Sequence, residues 1–189
     1  YKIEANALIL QPTQTSPPQK FDIPTNYLRI NWSDRLYLIP EGMVIEFCNE
    51  INRGAEPRKS GAGQFFLRKD DWNKVSKGHP ELSTTWIDYI LDTPVVGKII
   101  SAIDTQTGII NVGNRMNLKR GMKLRAKHRY EKKQQKHWRY VLIDVVSVED
   151  DRAKVKISDK YPKKYLYKHE IGIGDEVFSR IDSKGLMQH

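Results

Sequence analysis

Apolar positions along this chain follow two regimes that meet near Asp92-Thr93-Pro94. In the first, strand-like and helix-like spacings alternate. Ile3 to Leu10 reads as a strand, and Tyr27 to Ile39 as one or two, with Leu28, Ile30, Trp32 and then Leu36, Leu38 sharing a parity. Between them Thr13 to Pro24 (TQTSPPQKFDIP) has no apolar period and reads as a long loop. Glu41 to Arg53 predicts a helix, because Val44, Phe47, Cys48 and Ile51 form one stripe at helical spacing. Pro40 suits its first turn, Glu41 the positive end of its dipole, and Gly54 a left-handed stop. A Gly/Lys/Arg-rich loop from Gly54 to Gly63 then leads to a strand at Gln64 to Arg68. Pro80 to Leu91 reads as a second helix with Leu82, Trp86, Tyr89 and Ile90 inward.

From Val95 onward the pattern is β throughout. Val96 to Ile103, Ile109 to Val112, Met122 to Tyr130, Trp138 to Val148, Arg152 to Ile157 and Glu176 to Ile181 all read as strands. Six short strands in so little chain predict a closed or nearly closed barrel, since closure hides the edges. Leu118-Lys-Arg-Gly121-Met-Lys-Leu124 and Ile171-Gly-Ile-Gly174-Asp-Glu-Val177 share one design. In each, an apolar residue plugs the core, a glycine permits positive φ, and a strand starts at once. The expectation is therefore an α+β arrangement. Residues 1–92 form a small α+β domain, and 93–182 a small, mostly antiparallel β-barrel of SH3/OB-like size. Residues 183–189 are a tail.

Composition adds little until charge is located. The 189 residues are 39% hydrophobic and 29% charged, with a mean hydropathy of −0.63, which excludes collagen-like, disulfide-dense and wholly disordered chains. No apolar run is long enough to predict a transmembrane segment. The net charge is +9, yet residues 1–92 carry 11 basic and 12 acidic side chains. Asn114 to Tyr140 alone carries 11 basic side chains against one acid, Glu131, so one segment holds the whole excess. The chain opens on Tyr1 rather than Met, which predicts an upstream segment removed by processing or truncation.

The skeleton Val96-Gly97-Lys98-Ile99-Ile100, Gly108-Ile109-Ile110-Asn111-Val112-Gly113, Leu118-Lys119-Arg120-Gly121-Met122-Lys123-Leu124 and Ile173-Gly174-Asp175-Glu176-Val177 resembles a known family. It is similar to the small β-barrel at the C-terminus of flagellar H-ring assembly proteins and of other bacterial envelope proteins. The likeness covers roughly residues 95–181 and rests on glycines and apolar positions. In that family the skeleton specifies turns and strand starts, not a catalytic site. The resemblance implies an envelope-associated assembly or binding role without chemistry, and an extracytoplasmic (periplasmic or anchored) location.

The residues themselves suggest no catalyst. Cys48, the single cysteine, lies on an apolar helical stripe and reads as a buried structural thiol rather than a nucleophile. The five histidines show no paired metal-ligand spacing, so neither a metal nor a cofactor is expected. Arg58-Lys59-Ser60-Gly61-Ala62-Gly63 mixes glycine with cations as phosphate cradles do, but it lacks the Gly-Lys-Ser/Thr order and precedes a strand.

The candidate site is the basic segment. Lys127, His128, Arg129 and Tyr130 face His137, Trp138, Arg139 and Tyr140 across a polar tip, Glu131 to Lys136, which reads as a β-hairpin. The anion-binding set is Lys127, Arg129, Tyr130, Lys132, Lys133, Lys136, Trp138 and Arg139. Its partner is an acidic protein face, envelope polysaccharide or lipid headgroups; alternatively the barrel binds nucleic acid, with Tyr130, Trp138 or Tyr140 stacked on bases. Against both stands a plain alternative: a Lys-rich hairpin that stays solvated and deters aggregation, its aromatics serving as cross-strand partners. A second patch, Lys154, Lys156, Lys160, Lys163, Lys164 and Lys168, would extend the surface.

Overall fold

The computed structural model describes residues 2–4, 7–9, 26–57, 65–132, 135–159 and 169–180; for 2–4, 7–8, 131–132 and 135–137 it describes the backbone alone. The loop expected at Thr13 to Pro24, the glycine-rich stretch 58–63, Lys133, Lys160, Lys163, Lys164, Lys168 and the tail lie outside the described residues. The chain divides into two compact units: Tyr1–Ile51 with Ala55–Ile90, and Asn52–Gly54 with Leu91–His189.

The first unit carries an antiparallel sheet in chain order: β1 (Lys2–Glu4), β2 (Ala7–Ile9), β3 (Asn26–Trp32), β4 (Arg35–Pro40) and β5 (Phe66–Leu67). The segment from Ile3 to Leu10 is not one strand, because β1 and β2 pair with each other, placing Ile3 opposite Leu8. These two positions have opposite parity, so one strand would split them across two faces, whereas a reversal brings them together. The β3–β4 hairpin turns through Ser33 and Asp34, with Ser33 at a left-handed φ of 52°. The Ser33 hydroxyl pins the turn by donating to the Lys77 carbonyl and accepting from the Lys77 N–H, both at 2.8 Å.

One sheet face is covered by α1 (Val44–Asn52), entered through a 3-10 turn at Glu41–Met43. The stripe read from the sequence is inward: Val44, Phe47 and Cys48 are fully buried against Ile30, Tyr37, Ile39 and Phe65. Phe47 is the hub, with ring centroids 5.3 Å from Tyr37 and 5.5 Å from Phe65, in edge-to-face geometry. The second helix is much shorter than the spacing predicts, since α2 covers only Thr84–Ile87. The Glu81 N–H donates instead to the Asn31 carbonyl of β3, at 2.7 Å, and Tyr89 and Ile90 close i→i+3 turns. Leu82, Trp86 and Tyr89 still pack on the core beside buried Ile90, so the inward residues are as expected while the helix is not. The unit is mainly β, with less helix than an α+β domain would carry.

The second unit is a closed antiparallel barrel, in the order β10-β7-β6-β11-β8-β9, with β9 returning to β10. Its strands among the described residues are β6 (Val96–Ala102), β7 (Thr107–Ile110), β8 (Lys123–Lys132), β9 (Gln135–Val148), β10 (Ala153–Ile157) and β11 (Glu176–Phe178). Inward positions alternate as a barrel requires: Leu124 and Ala126, Val141 and Ile143, and Ala153, Val155 and Ile157 are buried. The twin plug motifs hold: Leu118 and Ile171 are buried, and Gly121 and Gly174 take φ of 88° and 90° just before β8 and β11. Among the described residues no helix is long and apolar enough to cross a membrane.

Candidate anion-binding hairpin

β8 and β9 pair in unbroken register from Lys123↔Asp144 to Lys132↔Gln135. The polar tip expected from Glu131 to Lys136 is therefore mostly strand, with Glu131 opposite Lys136. The cause is local: the ladder adds backbone hydrogen bonds residue by residue, and period-2 apolar patterning is not needed once both faces are polar.

Register sorts the expected site residues onto two faces. Leu124 and Ala126 point into the barrel, so His128 and Tyr130 continue that face, joined from β9 by Arg139, the partner of His128. Arg125, Lys127 and Arg129 take the other parity, facing Leu142, Tyr140 and Trp138. Two cations gather on Trp138: the Lys127 Nζ lies 4.8 Å from its ring centroid and the Arg129 guanidinium carbon 5.7 Å. On the inner face, the Arg139 guanidinium carbon lies 5.2 Å from the Tyr130 ring. The set is thus not one patch. Lys127, Arg129 and Trp138 belong together, and Tyr130 and Arg139 form a separate pair behind them. Lys132 and Lys136 are placed by register only.

Arg125, outside the expected set, joins the outward row; alternate strand positions lie roughly 6.5 Å apart, a ladder of three cations. Lys123, at the base, is neutralised by Asp144 at 2.5 Å. Glu176 is the β11 register partner of Lys127. Trp138 is 43% exposed and Arg129 is exposed, while Lys127 is half-buried.

The inner face is anchored. His128 Nδ1–H donates to Asp175 Oδ2 at 2.8 Å, and the same oxygen accepts the Gly172 N–H at 2.7 Å. The ionised carboxylate accepts only, which puts the imidazole proton on Nδ1. This contact ties β8 to the Gly172–Asp175 turn that leads into β11. Burial, and after it the Arg139 charge, lower the His169 pKa below its ordinary value, favouring the neutral imidazole. In the first unit, burial pushes the Cys48 thiol up to about 12. The second basic patch survives in part, as Lys154 and Lys156 are exposed on β10.

No local pattern in the sequence marks a cationic cavity in the near-neutral first unit. Arg29, Arg35, Arg68 and Lys74 line it with Ser33 and Asp34, around a volume of about 280 Å³. They are scattered singly over 46 positions, so no local charge run exposes them; only the β3–β4 register and the turn after β5 gather them.

In comparison with known proteins, the chain matches no family model, and no curated protein shows significant similarity to it.

Proposed function

We propose that this protein is a non-enzymatic binding module whose β8–β9 hairpin docks onto an acidic face of a partner protein. The observation that carries the reading is Trp138, exposed, with Lys127 and Arg129 drawn over its ring. A solvated anti-aggregation hairpin needs only scattered lysines. Holding two cations on an indole costs side-chain freedom before any partner arrives, and lowers what remains to be lost on binding. The same stacking disfavours nucleic acid read through its bases, since a base would have to displace the cations from the ring. The resemblance of residues 95–181 to envelope barrels supports an extracytoplasmic, envelope-associated assembly as its setting, in a bacterium.

The test is binding to poly-L-glutamate and to a single-stranded oligothymidylate across a salt series. Lys127→Glu with Arg129→Glu should abolish poly-glutamate binding at low salt and leave the fold intact. Tighter binding to the oligonucleotide, with quenching of Trp138 fluorescence by stacked bases, would instead install the nucleic-acid reading. Absence of binding to both at low salt, where counterion release favours it most, would leave a solvated hairpin.

A further inference from the structure

We propose that the cavity between the β3–β4 turn and the Arg68–Lys74 segment binds a small phosphate-type oxyanion. Four cations line it, Arg29, Arg35, Arg68 and Lys74, against one carboxylate, Asp34. Arg68 and Lys74 share a counterion, Asp71, and Arg35 holds Glu56. One positive charge therefore remains in excess, and Arg29 makes no ion pair among the described residues.

Arg35 is the second observation. Its side chain is 7% exposed, and its Nη1 donates to Glu56 at 2.6 Å and to Tyr37 at 3.2 Å. Its Nε–H is buried with no hydrogen-bond partner among the described residues. A guanidinium keeps its protons at any working pH, so a buried Nε–H calls for an acceptor. That Nε–H is shielded from solvent, so what Arg35 offers an anion in the cavity it lines is the fixed charge of its guanidinium. The rim is already held: Ser33 is fixed to Lys77 on both sides of its hydroxyl, and the Lys74 ammonium donates to the Asp34 carbonyl at 3.0 Å. Little ordering is left for binding to impose. The cations come from three parts of the fold: Arg29 from β3, Arg35 from β4, and Arg68 and Lys74 from the segment after β5. A tetrahedral anion accepts from all of them, whereas a carboxylate accepts within one plane.

The experiment is a titration of the full chain followed by ¹H–¹⁵N NMR, with inorganic phosphate, acetate or chloride at equal ionic strength. Expected are saturable shifts for amides 29–36 and 68–74 in phosphate alone. Arg29→Gln should weaken phosphate about tenfold, the scale of one charge-assisted contact, with an otherwise native spectrum. Asp34→Asn should tighten it about threefold by removing the opposing carboxylate. Equal shifts in acetate or chloride, shifts confined to amides 125–142, or affinities unmoved by both substitutions would overturn the proposal. Unmoved affinities bear on the cavity alone, whereas shifts confined to 125–142 would put the phosphate on the hairpin instead.

Discussion

Arg129 and Trp138 are direct register partners on the outward face of the β8–β9 hairpin, with the guanidinium carbon 5.7 Å from the indole centroid. Aromatic and cation therefore restrain each other before any partner binds. Trp138→Ala should keep the charge and lose the restraint. Exposed cation–π contacts contribute about 0.5–1 kcal/mol each, so losing both should lower poly-glutamate affinity by at most about five- to thirtyfold. Trp138→Phe should recover part of it. Isothermal titration of the three proteins decides this; equal affinities would mean that only charge matters.

The hairpin base depends on Asp175. Its carboxylate takes both the His128 Nδ1–H and the Gly172 N–H, with side chains only 14% and 9% exposed for His128 and Asp175. Asp175→Ala should cost about 1–3 kcal/mol, as expected for hydrogen bonds to a charged group. Hydrogen exchange should accelerate first at the Gly172–Asp175 turn and in β8 near His128. Uniform acceleration over the whole barrel would show that the contact is not a local staple.

Asp71 should govern the acid stability of the first unit. Its carboxylate is fully buried and bound by Arg68, by Lys74 at 2.7 Å and by the Leu36 N–H at 2.9 Å. The Arg68 guanidinium, then Lys74, hold its pKa well below the usual carboxylate range, against the opposing effect of burial. A carboxylate with a lowered folded-state pKa stabilises above its unfolded pKa of about 3.9, and that contribution is lost as pH falls through the folded value. The urea midpoint of the first unit should therefore drop below about pH 4. Asp71→Asn should lower it already at pH 7 and remove that part of its acid dependence.

Cys48 is fully buried on α1 and its thiol pKa is pushed up to about 12. At pH 8 the native protein should resist thiol-specific reagents, and labelling should appear only with unfolding. Rapid labelling of the folded chain would contradict the packing of α1 on the sheet.

Much of the architecture was legible because it rests on short-range rules. The α1 stripe, the β3 alternation, the six barrel strands and both plug-and-glycine motifs each depend on spacings within about ten residues. On β4 the parity reverses: pairing puts Tyr37 and Ile39 opposite Ile30 and Leu28 in the core, and Leu36 and Leu38 on the other face. Where the reading failed, a distant partner intervened. The helix expected over Pro80 to Leu91 shrinks to one turn, Thr84–Ile87, with the chain still extended at Ser83 and Glu81 paired with Asn31, 50 positions away. The strand expected over Ile3 to Leu10 is two because the segment pairs with itself.

The same division runs through the candidate sites. The sequence by itself determined that the positive charge is concentrated in residues 114–140 and that this stretch is hairpin-forming, since charge counts and strand alternation are local properties. Only the tertiary structure decided which of those cations act together. One residue of register places Lys127 and Arg129 on Trp138 and sends Arg139 to Tyr130 on the opposite face. It also decided that Arg29, Arg35, Arg68 and Lys74 share a cavity, because strand pairing, not sequence distance, sets which charges are neighbours.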